Sequence, residues 1–158
     1  MDEPAATPTA TPPAASAAAQ ALAERIALAL FARDHASRAL GMRLVSVAPG
    51  RARLLMRVRG DMVNGHGLCH GGIVFALADS AFAFACNSHN DSTVAAAASI
   101  DYLAAAREGD ELTAEASELW RTRRNGLYEI IVSNQRGERI ALFRGRSYRI
   151  EGQVLSGE

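Results

Sequence analysis

The pattern of hydrophobic and polar positions divides the chain into a leading segment, two helical stretches and several strands. Residues 4–19 combine Ala, Pro and Thr without a periodic apolar face, so we predict that residues 1–19 form a disordered tail. From about Gln20 the apolar residues Leu22, Ile26 and Leu30 recur at four-residue steps. This spacing predicts an amphipathic helix that ends near Gly41.

The next segments alternate between apolar and polar residues, which is typical of strands. Residues 44–47 and 51–58 flank a Pro-Gly turn and predict a hairpin with one solvated face. Residues 71–87 are apolar nearly all round, which is typical of a helix buried on all sides. Further strands are predicted over 93–103, 112–120, 127–134 and 140–150.

This order of elements predicts an α+β domain, in which a curved antiparallel sheet of five to six strands wraps around one long central helix. A chain of 158 residues fits one such domain. We predict that the domain spans residues 20–152 and that residues 153–158 form a short C-terminal tail.

Composition narrows the possible functions. Seventeen basic residues balance seventeen acidic ones, so we expect no nucleic-acid partner. The absence of Lys excludes Schiff-base and P-loop chemistry, since both need a lysine amine. Two cysteines do not make a disulfide framework, and neither a secretory signal nor a membrane span is visible. We therefore predict a cytoplasmic protein.

Two glycines, Gly71 and Gly72, stand where the central helix begins. Each costs about 1 kcal/mol relative to Ala inside a helix, so the backbone here either approaches a ligand closely or only turns into the helix. Free N–H groups at a helix N-terminus favour a developing oxyanion. From spacing alone both interpretations remain open.

Asp79 interrupts the apolar run of the same helix. A buried carboxylate needs a partner, a water-filled cleft or a raised pKa. Asp79 is therefore either a functional acid or a residue that pairs with an Arg or lies at a subunit surface. It follows Gly71 by eight residues, roughly 12 Å along a helix axis. The Gly71 N–H and the Asp79 carboxylate of one chain are therefore too far apart to act on the same substrate atom. We expect Asp79 to act from a second subunit.

The histidines and the cysteine just before the central helix suggest a metal site or a thiol nucleophile, but their spacing favours neither. His66 and His70 are four residues apart, but the glycines around them oppose a helix and no Glu completes a zinc motif, so we expect no metal. Cys69 beside His70 is a weak nucleophile pair, because sequence neighbours rarely face each other. Each arginine of two later segments, taken alone, is typical of a solvated strand face. Together they indicate the rim of a site for an anionic ligand. These residues are Arg121, Arg123, Arg124, Arg144, Arg146 and Arg149.

The stretch NGHGLCHGGIVFALADSAFAFACNS, residues 64–88, resembles the hotdog-fold thioesterases of phenylacetate degradation, the PaaI type. The similarity continues through Ser99–Leu103, 109–114, 126–128 and 141–145, and covers roughly residues 25–151. The resemblance implies a hotdog fold and homodimers that assemble into homotetramers, with active sites at the dimer interface. It implies no metal and no cofactor, since coenzyme A belongs to the acyl-CoA substrate.

The resemblance also implies roles for individual residues. Asp79 would act as general base or nucleophile, the Gly71 N–H would polarise the thioester carbonyl, and Asn64 and His70 would shape the site. We also assign Gly72 and Arg144 to substrate binding. A hydroxyl that orients water in some relatives has no counterpart in the stretch 95–98, which is all Ala.

The leading hypothesis is therefore hydrolysis of phenylacetyl-CoA or hydroxyphenylacetyl-CoA. Phe75, Phe82 and Phe84 either contact the aryl group or pack in the core. One alternative is a non-catalytic acyl-CoA-binding hotdog protein, which would bind the ester without turnover. Another is a hotdog dehydratase, which would need an Asp/His pair in a motif that this sequence lacks.

Overall fold

The computed structural model describes residues 16–156. Residues 1–15 of the predicted tail and residues 157–158 of the predicted C-terminal tail therefore lie outside the described residues. The helices are α1 (Ala17–Arg33), α2 (His35–Ala39) and α3 (Gly71–Asn87), with a single 3-10 turn over Gly60–Met62. The strands are β1 (Arg43–Ala48), β2 (Arg51–Arg57), β3 (Asp91–Tyr102), β4 (Glu111–Arg121), β5 (Asn125–Ser133) and β6 (Arg139–Gln153).

The N-terminal helical segment differs from its prediction at both ends. The hydroxyl of Ser16 accepts a 3.2 Å hydrogen bond from the Ala19 N–H, so α1 begins at Ala17, inside the segment predicted to be disordered. The prediction of one helix to Gly41 is wrong, because Asp34 separates α1 from α2. Its carboxylate accepts hydrogen bonds from the N–H and the hydroxyl of Ser37, at 2.9 and 2.6 Å, and so caps the second helix.

The six strands form one antiparallel sheet in the order β1-β2-β4-β5-β6-β3. Local hairpins join β1 to β2, β4 to β5 and β5 to β6, and the first of them is the hairpin predicted over residues 44–47 and 51–58. The strand that follows the central helix, β3, crosses over to pair with the last strand, β6. This confirms the predicted α+β class, with β1 and β3 as the two edges of the sheet. The last strand extends to Gln153, one residue into the predicted C-terminal tail.

The core lies between α3 and the inner face of the sheet. Leu77, Ala81 and Phe82 of α3 are at most 1% exposed. They belong to one cluster with buried residues of β2, β4, β5 and β6, among them Leu54, Met56, Leu112, Tyr128, Ile130 and Phe143. Burying a large apolar side chain contributes about 1.5–3 kcal/mol, so this layer is the main source of stability.

One face of α3 remains open in the single chain, so the prediction of a helix buried on all sides is wrong. Gly72, Ala76, Asp79 and Ala83 follow each other at steps of four, three and four residues, and none of them is buried. We call these four residues the small-residue face. Its side chains, Asp79 aside, are small enough for another helix to approach closely.

The edge strand β3 is also uncovered. It is 12 residues long, and none of its residues is buried, although it carries Val94 and four consecutive alanines, Ala95–Ala98. Its other side pairs with β6, so one row of backbone N–H and C=O groups has no strand of the described chain beside it. A long apolar edge of this kind is a template for pairing with another chain.

Candidate active site

The start of α3 leaves the backbone amide of Gly71 free. The Nδ1 atom of His70, the N-cap residue, accepts a 3.0 Å hydrogen bond from the Gly72 N–H. The His70 carbonyl accepts from the Ile73 N–H at 2.8 Å. Within residues 16–156 no acceptor faces the Gly71 N–H. Of the two glycines that the sequence singled out, Gly71 therefore presents a free donor at the positive end of the helix, whereas the Gly72 N–H is already used.

Asn64 lies on the loop that faces this helix start. Its Oδ1 atom accepts hydrogen bonds from the N–H groups of His66 and Leu68, at 2.9 and 3.2 Å, which fixes the loop as an Asx turn. Its Nδ2 amide has no partner among the described residues. Asn64, Gly71 and Tyr102 line one cleft of about 320 Å³, together with apolar residues that include Leu68, Val74, Leu103 and Ile140.

Tyr102 is the site residue to which the sequence analysis gave no role. Its hydroxyl donates a 2.8 Å hydrogen bond to the Gly71 carbonyl oxygen, and a Cβ atom on Gly71 would lie 3.0 Å from the tyrosine ring. The two residues are 31 positions apart, and they meet because β3 runs back along α3. Only its place in the segment Ser99–Leu103, which carried the family resemblance, marked Tyr102 in the sequence.

Asp79 lies near the middle of α3 and is half-buried. Burial raises the pKa of its carboxyl group, and no arginine or other described residue pairs with it. The alternative interpretation, an internal ion pair, would need a cation beside Asp79, and the described chain provides none. At eight residues from Gly71, roughly 12 Å along the axis, it does not line the cleft of its own protomer.

The cysteines are buried thiols with no disulfide. Burial, with a smaller effect from the charge of Asp110, raises the pKa of Cys69 to about 11. A thiol with such a pKa is almost fully protonated at neutral pH, so Cys69 makes a poor nucleophile. His66 is exposed, and the described residues contain no group of three or more His, Cys, Asp or Glu side chains that could hold a metal ion.

Arg144 does not join the cleft. It is an exposed residue of β6, where residues of alternate positions, Phe143 and Gly145, face the core. Its guanidinium lies 3.6 Å from the Glu129 carboxylate of the neighbouring strand. Within one protomer Asn64 and Gly71 line the cleft, whereas His70 and Gly72 bond to each other at the adjacent helix start and Asp79 and Arg144 lie elsewhere.

The phenylalanines of α3 belong mainly to the core. Phe82 packs against Tyr128 and Phe143, with ring centroids 5.3 and 6.0 Å apart, and Phe84 packs against Phe31 at 6.0 Å. Both are at most 3% exposed, which leaves them no free surface for an aryl group. Phe75 is only partly buried and packs edge-on against Phe143.

Comparison with known proteins identifies the family. The sequence pattern of the Thioesterase superfamily matches residues 66–141. Over 132 residues the chain is 44% identical to the acyl-coenzyme A thioesterase PaaI of Escherichia coli, and the match covers 84% of this chain and 94% of that protein. The chain belongs to the thioesterase superfamily.

Solved structures agree with this assignment. The E. coli PaaI protein from the phenylacetic acid degradation operon matches this thioesterase with a TM-score of 0.84 and 42% identity, over 85% of this chain and 97% of that one. The TT0310 protein of Thermus thermophilus matches with a TM-score of 0.72 and 39% identity, over 75% and 99%. The predicted hotdog fold and the resemblance to the PaaI type are confirmed. No helix in the described part of this thioesterase is long and apolar enough to span a membrane.

Proposed function

We propose that this thioesterase hydrolyses phenylacetyl-CoA or hydroxyphenylacetyl-CoA to the free acid and CoA. The observation that carries the proposal is the free N–H of Gly71, which opens onto a mostly apolar cleft at the start of α3. Its close similarity to PaaI of the phenylacetic acid degradation operon supports an aryl-acetyl substrate. The cleft would hold the acyl group against Leu68, Val74 and Ile140.

In this mechanism the Gly71 N–H binds the thioester carbonyl oxygen. Attack on the carbonyl carbon moves negative charge onto that oxygen, and the amide together with the helix dipole stabilises the charge. Loss of one such donor costs about 2.7–4 kcal/mol of transition-state stabilisation in other enzymes. The free Nδ2 amide of Asn64 can donate to the same ester. Because Nδ1 of His70 accepts from Gly72, the neutral imidazole carries its proton on Nε2, where it is a further donor.

Asp79 would supply the attacking group. As a general base it takes a proton from water while the water oxygen bonds to the carbonyl carbon; the C–S bond then breaks, and the CoA sulfur leaves and takes up a proton. As a nucleophile, its carboxylate would attack the carbonyl carbon and form an anhydride as the C–S bond breaks and the CoA thiolate leaves; water would then hydrolyse the anhydride and return the free carboxylate. Its raised pKa makes the carboxylate a stronger base than that of a free aspartate, and it has no partner in the described chain, which suits either role.

The distance between Asp79 and Gly71 calls for a homodimer, in which Asp79 reaches the cleft of the other protomer. Two uncovered features support this assembly: the small-residue face of α3, which contains Asp79, and the free edge of β3. Edge-to-edge pairing of two β3 strands would continue the sheet and bring two α3 helices together. We further propose that two such dimers form a tetramer.

The proposed reaction needs neither a metal nor a cofactor beyond the CoA of its substrate. Both thiols are free and buried, which is compatible with a reducing compartment, so we place the enzyme in the cytoplasm.

The direct test is hydrolysis of phenylacetyl-CoA by the purified protein, followed with a thiol reagent. Asp79→Asn is expected to lower kcat by about 10²–10⁴-fold, the usual contribution of a positioned base. Glu115→Gln is the matched control, since this acid lies on β4 and pairs with Arg53, away from the cleft. Undiminished hydrolysis by Asp79→Ala would refute the role of Asp79. Tight binding of the ester without turnover by the unaltered protein would favour the acyl-CoA-binding alternative.

A further inference from the structure

We propose that a second cleft, at the opposite end of the sheet, binds the phosphate groups in the nucleotide part of CoA. We call it the arginine cleft. It measures about 620 Å³ and is lined by Arg123, Arg124, Tyr148, Arg149, Ile150, Glu151 and Gly152. The proposal rests on the proposed function, because it takes CoA esters as the ligand.

The turn between β4 and β5 brings the arginines together. Arg123 and Arg124 follow the end of β4, and the Arg124 carbonyl oxygen accepts a 2.9 Å hydrogen bond from the Arg149 N–H on β6. This bond fixes the turn against the strand, so that the three guanidinium groups border one cleft. From the sequence alone, these arginines fitted either a solvated strand face or the rim of a site for an anionic ligand.

The charges of this cleft are unbalanced. Asp91 is already held by two cations, since it accepts from Arg149 at 2.9 Å and from Arg121 at 3.2 Å. Arg123 and Arg124 are exposed, and neither has an ion-pair partner among residues 16–156. The residues that line the cleft include three arginines, Arg123, Arg124 and Arg149, and one acid, Glu151, which is an excess of two positive charges in a chain whose net charge is zero.

This chemistry fits phosphate groups beside an aromatic base. A guanidinium is planar and always charged, and its paired N–H groups match two phosphate oxygens. Tyr148 and Ile150 border the same cleft, and they are 39% and 45% exposed. They offer an aromatic ring and an aliphatic surface against which an adenine can stack, so the cleft suits the diphosphate and the phosphorylated adenosine of CoA.

The position of the cleft explains how one substrate can occupy both sites. Within one protomer, Arg149 is paired with Thr93 near the start of β3, whereas Tyr102 and Gly71 lie at its end. Twelve residues of strand span roughly 40 Å. Antiparallel pairing of two β3 strands places the start of one beside the end of the other. The nucleotide would therefore be bound by the protomer that also supplies Asp79.

The test is a double variant, Arg123→Ala/Arg124→Ala, assayed with phenylacetyl-CoA and with phenylacetyl-pantetheine, which lacks the nucleotide. With the CoA ester we expect KM to rise about tenfold or more while kcat is unchanged, as loss of charge-assisted hydrogen bonds predicts. With the pantetheine ester the variant should equal the unaltered enzyme. Arg51→Ala/Arg57→Ala is the matched control, since both are exposed β2 arginines without an ion pair in the described chain.

Binding of CoA itself, measured by calorimetry, makes this proposal independent of turnover. The double variant is expected to bind CoA about tenfold more weakly than the unaltered protein and the control do, and pantetheine equally well. An unchanged KM and an unchanged affinity for CoA would overturn the arginine cleft. Failure of Asp79→Asn to lose activity would instead overturn the catalytic proposal and leave the CoA affinities as they are.

Discussion

The Tyr102 hydroxyl donates a 2.8 Å hydrogen bond to the carbonyl oxygen of Gly71, the residue whose N–H we assign to the thioester. The ring of Tyr102 also fills the space that a side chain on Gly71 would need, 3.0 Å from its Cβ position. One exposed tyrosine from β3 therefore fixes both the orientation and the small size of the first residue of α3.

Removal of this hydroxyl should slow the reaction without weakening the fold. In Tyr102→Phe the ring stays but the hydrogen bond to Gly71 is lost, so the amide is held less firmly toward the carbonyl oxygen. We expect kcat to fall about tenfold with little change in KM or in Tm, because the hydroxyl is exposed. Steady-state kinetics and thermal unfolding of the same preparation check this. An equal loss in Tm and activity would indicate a structural role only.

The raised pKa of Asp79 predicts the pH dependence of activity. A base must be ionised, so kcat/KM should fall as the pH drops through a pKa higher than that of a free aspartate. A pH–rate profile that shows its acidic limb only near the pKa of a free aspartate would contradict this prediction.

The raised pKa of Asp79 affects stability in the opposite direction: activity rises with pH, whereas the stability of the fold falls. The folded state holds the Asp79 proton more tightly than the unfolded state, so its contribution to stability is present at low pH and is lost as pH rises through the raised pKa. Once ionised, the half-buried carboxylate therefore destabilises the fold. Above that pKa Asp79→Asn should raise Tm while it lowers activity, and this gain in Tm should shrink in acid. Thermal unfolding at two pH values checks it.

A site shared between protomers predicts that two inactive variants restore each other. Asp79→Asn lacks the acid, and Gly71→Ala displaces Tyr102 from the helix start. A mixed dimer holds one site with both native residues, so random exchange of subunits should return about a quarter of the native activity. Mixing, subunit exchange and assay of phenylacetyl-CoA hydrolysis measure this. No recovery from demonstrably mixed dimers would place both residues of a site in one chain.

The close packing of Gly145 against Phe82 predicts a stability effect away from the site. A Cβ atom on Gly145 would lie 2.9 Å from the Phe82 ring, which is 1% exposed and cannot move aside. Gly145→Ala should lower the free energy of unfolding by about 1–3 kcal/mol. Gly65→Ala is the control, since its Cβ would meet nothing within 4 Å. Denaturant unfolding of both variants separates the two cases.

The sequence by itself determined the elements and the chemistry near the start of the central helix. Periodicity located α3 and the strands to within a few residues, since local alternation reflects which side chains face the core. The glycines at 71 and 72 and the acid at Asp79 stand out in sequence because each is costly where it lies. The helix break at Asp34 was missed, because a side-chain cap ends a helix without altering the apolar period.

Only the tertiary structure decided which residues meet. The crossover from β3 to β6 sets Tyr102 on Gly71 across 31 residues, and no local pattern encodes such a contact. It also decided that the Gly71 N–H is free while the Gly72 N–H is capped, since this depends on the orientation of the His70 ring. The arginines of 123–124 and 149 become one cleft for the same reason: chain topology, not spacing, brings strand ends together.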